Sequence, residues 1–420
     1  MLADVRGARV LLLQGPMGPF FAQLAKELRS QNCHVTKINF NGGDAHYYHD
    51  ADALDYVDSL DAWPQYVRSL ILERRITHLV LFGDLRNHHY QAIAEARLLN
   101  IPIYVFEEGY LRPDYITLER DGVNARSTLS RDPNFYRQFA SDKPARPAPI
   151  GHVFWYAATI AATYSWAMFF KRHHFRHYRH HRDLHPIREG LRWILTGTRH
   201  KLMWKLRDMR ALRTFSGALS GKYFLVPLQV HNDFQVRGSA YNSVEAFITE
   251  VTQIFAAHAP ADEHLVFKHH PLDRAYRNYT QLLDDLREQH GLEQRIHYIA
   301  DPHLPTLLRH ARGTIVLNST VGLSSLQHGT PTICIGTSIY SLAGLSYQGD
   351  LESFLKNPGH VDRELIAGFS NYLARHNQLP GSFYKRKRLP QVSDSAVSVE
   401  NEGTLDSGEF ASVSGQPGPL

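Results

Sequence analysis

Short apolar runs separated by amphipathic stretches fill the first third of the chain. "RVLLLQG" (9–15) reads as a buried strand, and Phe20–Arg29 behind it has helical spacing. "CHVTKINFN" (33–41), "THLVLFGD" (77–84) and "IPIYVFEEGY" (101–110) repeat the strand pattern, with helical patterns such as Tyr66–Arg74 and His89–Leu98 in the gaps. Alternation at this spacing predicts a doubly wound parallel sheet. Ligands of such sheets sit beyond the carboxyl ends of the strands. That rule singles out Gln14, Asn41, Asp84, Glu107 and Glu108.

The alternation stops at 151–213. "VFWYAATIAATYSWAMFF" (153–170) holds eighteen residues without a charge, which borders on the length of a spanning helix. Tyr, Thr, Ser and two Trp dilute it. Residues 171–213 then carry thirteen Lys/Arg against three Asp/Glu, with seven His and interleaved aromatics. Solvated helical hairpins would explain this stretch. So would an interfacial surface whose cations meet anionic headgroups while aromatics dip into the boundary, and this second reading is preferred to a true span. No basic-aromatic repeat of a nucleic-acid fold is present, so no nucleic-acid partner is expected.

From Lys222 the alternation resumes. "KYFLVPLQV" (222–230), "HLVFKHHP" (264–271), "RIHYIA" (295–300), "GTIVLNST" (313–320) and "PTICIG" (331–336) read as strands. Helical patterns lie near Ala246–Ala257, Tyr279–Glu288, Leu351–Lys356 and Arg363–Asn377. The predicted organisation is a Rossmann-like unit over 1–150, a basic aromatic helical segment over 151–220, and a second Rossmann-like unit over 221–390. A tail over 391–420 follows. With five acidic residues, no Lys or Arg and much Ser and Gly, it is expected to be disordered.

Composition changes this picture little. A length of 420 residues suits two domains, and 43% hydrophobic with 21% charged residues is ordinary for a soluble globular protein. Cys33 and Cys334 form no framework and read as small core residues, which fits a reducing compartment. The apolar run Val10–Leu13 is too short for a signal peptide. A net charge of +5 points to an acidic partner.

Three stretches carry candidate chemistry. In "LNSTVGLSSLQHGTP" a strand ends at Leu317, and Asn318, Ser319 and Thr320 offer capping groups to a helix start. Free N–H groups with small residues around them suit an anion, though ordinary capping explains them too. In "VFKHHPLDR" (266–274), adjacent strand side chains face opposite ways, so His269 and His270 do not share a metal. Lys268 and Arg274 would repel a cation, whereas Pro271 ends the strand and leaves His270 projecting where a phosphate would lie. Carboxylates form the third group: Glu107–Glu108 before Gly109, and Asn232–Asp233 after another strand. One acid from each unit, facing a cleft with an anion grip, is the equipment of glycosyl transfer.

"LLLQGPMGPFF", "KINFNGGD", "FEEGYLRP", "VPLQVHNDFQV", "KHHPLDR" and "LNSTVGLSSLQHGTP" together resemble bacterial capsule polysaccharide biosynthesis proteins of the KpsS/LipB type, over about 10–385. The resemblance implies a GT-B-like fold, with two Rossmann-like parallel-sheet domains facing a cleft, and a retaining β-Kdo transferase that uses CMP-Kdo. It also implies transfer of the first Kdo to a lysophosphatidylglycerol acceptor on the cytoplasmic face of the inner membrane. Carried over by motif, His270 and Pro271 contact the CMP phosphate with Lys268 in support, and Asn318, Ser319 and Thr320 bind nucleotide or phosphate. Asp233 becomes the nucleophile and Glu107 the acid/base. Glu108, Arg112, Asn232 and Gln14 fall to the sugar or acceptor. No cofactor or metal is implied, since CMP leaves as a single phosphate and no D-x-D stands at a strand end. Two alternatives fit the same elements: a non-catalytic export or scaffold protein of the capsule machinery, and a transferase using another nucleotide sugar.

Overall fold

The computed structural model describes residues 5–143, 147, 149–180, 185–187, 198–231 and 241–385. The expected tail over 391–420 and the expected Asn232–Asp233 site lie outside the described residues.

Among the described residues, two sheets organise the chain. The first has seven strands: β1 (Arg9–Leu12), β2 (His34–Asn39), β3 (Ala53–Asp55), β4 (His78–Phe82), β5 (Ile103–Glu108), β6 (Tyr115–Arg120) and a last strand from the carboxyl-terminal region. Strands β1–β5 are parallel, in the order β3-β2-β1-β4-β5, with Val10 opposite both Val35 and His78. Both faces of the parallel part are covered, so these strands read as continuous apolar runs rather than alternating ones. Val10, Leu12, Val80 and Phe106 pack on one face with α1 (Phe20–Ser30). Leu11, Leu13, Leu79 and Val105 pack on the other with α3 (Trp63–Glu73) and α4 (Asn87–Leu98). A short α2 (Gly42–Tyr47) follows β2.

The second sheet contains β7 (Tyr223–Pro227), β8 (His264–Lys268), β9 (Ile296–Ile299), β10 (Gly313–Val316) and β11 (Thr332–Cys334), all parallel, in the order β11-β10-β7-β8-β9. Phe224, Val226, Leu265 and Phe267 make its larger core with α8 (Val244–His258) and α9 (Thr280–His290). Tyr223, Leu225 and Val266 pack on the opposite face against Leu307 and Leu308 of α10 (Leu304–His310), and Phe215 of α7 (Thr198–Ser216) joins them. A shared apolar cluster joins the two units, with Tyr110 and Tyr136 from one side and Val316 and Leu323 from the other. Tyr136 belongs to the short α5 (Pro133–Arg137).

One feature departs from the sequence reading. β6 runs antiparallel to β5, and β12 (Gln378–Pro380) pairs antiparallel with β6. Residues 378–385, grouped with the second unit at sequence level, therefore add to the first sheet, and Phe383 enters its core. A three-residue strand ending in Pro carries no period to read, and its place at the sheet edge is where Pro is tolerated.

The uncharged run is a helix. It forms α6 (Phe154–Phe170), and among the described residues no helix is long and apolar enough to cross a membrane. α6 instead lies against α2, closely enough that a Cβ on Gly42 would stand 2.3 Å from the Ala167 carbonyl oxygen. A Cβ on Gly43 would stand 2.6 Å from the Tyr164 ring. The two glycines of "NFNGGD" are the condition for this contact.

Candidate active site

Each sheet has one point where the connections from a central strand diverge. In the first sheet it lies between β1 and β4, and in the second between β7 and β10. Crevices beyond the carboxyl ends of the strands open at such points. In the first, Arg86 after β4 donates to Gln14 Oε1 after β1 at 2.7 Å. In the second, Gln229 after β7 donates to Asn318 Oδ1 after β10 at 2.9 Å.

The loop after β8 holds the histidine pair. His269 is buried and its Nδ1 meets the Tyr298 hydroxyl at 2.6 Å, so it belongs to the packing. His270 is half-buried and precedes a single 3-10 turn, Pro271–Asp273. Its Nδ1 accepts the Leu272 N–H at 3.2 Å, which places the proton of the neutral ring on Nε2. His270 is thus set as a hydrogen-bond donor without needing to be charged.

The cations expected beside it are arranged differently. Lys268 is buried, and its ammonium meets Asp301 Oδ1 at 3.2 Å. Arg274 meets the other oxygen of Asp301 at 3.2 Å. Burial lowers the Lys268 pKa, and Asp301 opposes that shift. The carboxylate therefore neutralises part of the positive charge that the sequence reading gave to an anion.

At the end of β10, Ser319 Oγ accepts the Val321 N–H at 3.2 Å, while Thr320, the N-cap of α11 (Val321–Gln327), makes no side-chain cap bond. Gly322 lets Tyr340 lie across this start, since a Cβ there would fall 2.2 Å from the Tyr340 hydroxyl. Asn318, Thr320, Leu323, Ser338, Ile339 and Tyr340 line a small cleft, closed from the first unit by Tyr110 and Asn124.

On the first unit, Glu107 and Glu108 follow each other on β5 and so face opposite sides of the sheet. Glu107 Oε1 accepts the Glu108 N–H at 3.0 Å, and its Oε2 lies 3.7 Å from where a Gly83 Cβ would be, with Arg86 Nε at 3.9 Å from the same point. It therefore borders the β4 end of the first crevice. Glu108 accepts from the Tyr384 hydroxyl at 3.2 Å on the other face. Arg112 is exposed and its Nε donates to the Gly109 carbonyl at 3.1 Å, leaving most of the guanidinium at the surface. Behind the cleft, Tyr110 accepts the Asn124 N–H at 2.7 Å and hydrogen-bonds to Glu119. Burial pushes the Glu119 carboxyl up to about 7, against the Ser127 and Tyr110 hydroxyls.

Gln14, expected beside the sugar or acceptor, is buried and turned inward. Its amide donates to Asp44 at 2.9 Å and to the Tyr178 hydroxyl at 3.0 Å, with Tyr164 at 3.3 Å. Tyr164 in turn donates to Asp44 Oδ1 at 2.7 Å, and Asn41 donates to Tyr164 at 2.8 Å. The segment after 150 is thereby fastened across the carboxyl ends of β1 and β2. Lys37 lies buried nearby, and desolvation lowers its pKa to about 8 despite Asp44 and Asp55.

Sequence reasoning missed one pair. His231, two residues before Asp233, meets both oxygens of the fully buried Asp273. Its backbone N–H donates to Oδ2 at 2.7 Å, and its ring Nδ1 meets Oδ1 at 2.6 Å. Both residues stand in quoted motifs, "QVHNDF" and "HPLDR", but nothing local links positions 42 apart. Among the described residues no group of three or more His, Cys, Asp or Glu could hold a metal.

The model of the capsule polysaccharide biosynthesis protein family matches residues 77–384. Capsule polysaccharide export protein KpsS of Escherichia coli is 38% identical over 387 residues, covering 90% of this chain and 97% of the relative. Capsule polysaccharide modification protein LipB of Neisseria meningitidis serogroup A is 36% identical over 398 residues, 93% of this chain and 95% of its own. Among solved structures, Thermosulfurimonas dismutans KpsC, a β-Kdo 2,7 transferase, is similar over 86% of this chain and 89% of its own, at 15% identity and a TM-score of 0.41. With the family model spanning most of the chain, and relatives matching nearly end to end, the chain belongs to the capsule polysaccharide biosynthesis protein family.

Proposed function

We propose that this chain is a retaining glycosyltransferase that moves the first Kdo from CMP-Kdo to a lysophosphatidylglycerol acceptor. It would work as a peripheral protein on the cytoplasmic face of the inner membrane, beside other capsule-assembly proteins. The observation that carries the reading is the hydrogen bond from the Leu272 N–H to His270 Nδ1. That bond holds the ring at the carboxyl end of β8 with Nε2 as its donor nitrogen, in the unit whose switch point is bridged by Gln229 and Asn318. A donor in that position suits the phosphate of a departing CMP, where charge grows during bond cleavage.

Glu107 at the end of β5 stands ready on the opposing unit for the acceptor's proton. Asp233, two residues past His231, is assigned the nucleophile. Its carboxylate would bond to the anomeric carbon as the bond to the CMP phosphate breaks, and the acceptor hydroxyl would later displace it. CMP leaves as one phosphate, so the reading needs no bridging metal.

The test is incubation with CMP-Kdo and lysophosphatidylglycerol, followed by CMP release and mass spectrometry of both lipid and protein. The reading expects a Kdo-lipid, with CMP release lost in Asp233→Ala and His270→Ala. Release from another nucleotide sugar but not from CMP-Kdo would overturn the donor. The name of the E. coli relative favours a second reading, a non-catalytic export role. In that case Asp233→Ala would still restore capsule to a capsule-negative strain.

A further inference from the structure

α6 contradicts the usual economy of a surface helix. Its inner side rests on Gly42 and Gly43 through Ala167 and Tyr164, yet its outer side is apolar too. Trp155, Thr159, Ala162, Trp166 and Phe170 are all exposed, at successive spacings of four, three, four and four residues that put them on one stripe. Trp155 is 76% exposed, Phe170 70% and Trp166 42%. The Trp166 and Phe170 rings stack at 5.6 Å, forming one flat aromatic surface. A helix that is apolar all round belongs in a core or in lipid, not in water. It is not long and apolar enough to cross a membrane.

Charge indicates what covers the stripe. The turn that follows exposes Lys171, Arg172, Arg176 and Arg179, and residues 151–180 contain no Asp or Glu. A protein partner or a second copy would have to bury or answer all these cations. An anionic lipid surface answers them while taking up the rings, because headgroups and acyl boundary lie within one side-chain length of each other.

We propose that the Trp155–Phe170 stripe of α6 inserts into the headgroup boundary of an anionic bilayer, with the cations at 171–179 on its phosphates. The opposite side of α6 carries Tyr164, which is bonded to Asp44 and Asn41 at the carboxyl ends of the first sheet. Insertion therefore sets the crevice bounded by Gln14, Arg86 and Glu107 about one helix diameter, ~10 Å, from the lipid surface. A lipid-linked acceptor would reach that crevice without leaving the membrane. This purpose rests on the transferase reading, but the docking itself does not.

The test uses the full chain with vesicles of phosphatidylcholine alone or with 30% phosphatidylglycerol, a composition chosen for the assay and roughly that of an anionic leaflet. The wild type should sediment with the anionic vesicles. Trp155→Ser/Phe170→Ser should lower that affinity about tenfold or more while leaving the circular dichroism unchanged. Lys171→Glu/Arg176→Glu should lower it comparably and flatten its dependence on salt. Brominated acyl chains should quench the wild type more than Trp155→Ser/Trp166→Ser. Wild-type binding by the aromatic variant would overturn the proposal. So would a dimer in the absence of lipid that the same variant makes monomeric, since a second copy would then cover the stripe. Transfer to a water-soluble acceptor analogue separates the two readings: vesicle binding without transfer refutes the transferase, and transfer without vesicle binding refutes the docking.

Discussion

Asp273 holds His231 by two atoms at once, the backbone N–H at 2.7 Å and ring Nδ1 at 2.6 Å. The carboxylate comes from the same turn as His270, whose carbonyl accepts the Asp273 N–H at 2.9 Å. One buried acid thus ties the loop after β7 to the loop after β8. The two rings take opposite tautomers: the Leu272 N–H leaves the His270 proton on Nε2, whereas Asp273 draws one onto His231 Nδ1. Asp273→Asn keeps the shape but offers an N–H where the His231 ring needs an acceptor. The variant should fold and lose about 100-fold in kcat/KM for CMP-Kdo turnover, measured as CMP release. Activity within a few-fold of wild type would assign the pair to loop stability alone.

His270 should respond to substitutions according to whether they keep an N–H. His270→Phe removes both the donor and the acceptor for Leu272 N–H, and kcat/KM should fall about 100-fold. His270→Gln retains a side-chain amide and should recover part of that loss. Equal activity in the two variants would mean that the ring serves only to cap the turn after β8.

Glu119 predicts a pH dependence of stability. Its carboxyl is raised from 4.5 to about 7, chiefly by burial. In this window the folded protein keeps a proton that the unfolded chain has released. The contribution is therefore full below pH 4.5 and is lost as pH rises through about 7. Glu119→Gln keeps an acceptor for Ser127 and removes the titration. At pH 8 the variant should be more stable in urea by roughly 3 kcal/mol, with the difference vanishing near pH 4. Parallel stability profiles for the two proteins would show that Glu119 titrates as an ordinary carboxylate.

Much of this architecture was legible because parallel strands buried on both faces leave continuous apolar runs, as "THLVLFGD" and "HLVFKHHP" do. Strand alternation also separated His269 from His270. What was hidden depended on contacts far apart in sequence. β12 offers three residues and no period, and the His231–Asp273 pair joins two separate loops. Gln14 was placed correctly at a strand end, but nothing local shows that Tyr164 and Tyr178 would claim its amide. Likewise the cations of "FKHHPLDR" looked available to an anion until Asp301 was seen between them.

The glycines of "NFNGGD" give the strictest test of how α6 is seated. A methyl group on Gly42 would meet the Ala167 carbonyl oxygen of α6 at 2.3 Å and Cβ of its C-cap residue Lys171 at 2.7 Å, neither of which can yield locally. Gly42→Ala must therefore lift α6, stretching the Tyr164–Asp44 and Asn41–Tyr164 hydrogen bonds behind it. Overpacking of this kind costs about 1–3 kcal/mol. Hydrogen exchange over Phe154–Phe170 should accelerate, while the strands of the second sheet keep their protection. Gly381→Ala is the control, because its added methyl meets nothing within 4 Å. Unchanged exchange in α6 of the Gly42 variant would show that the helix is held by its own propensity and not by the glycine contact.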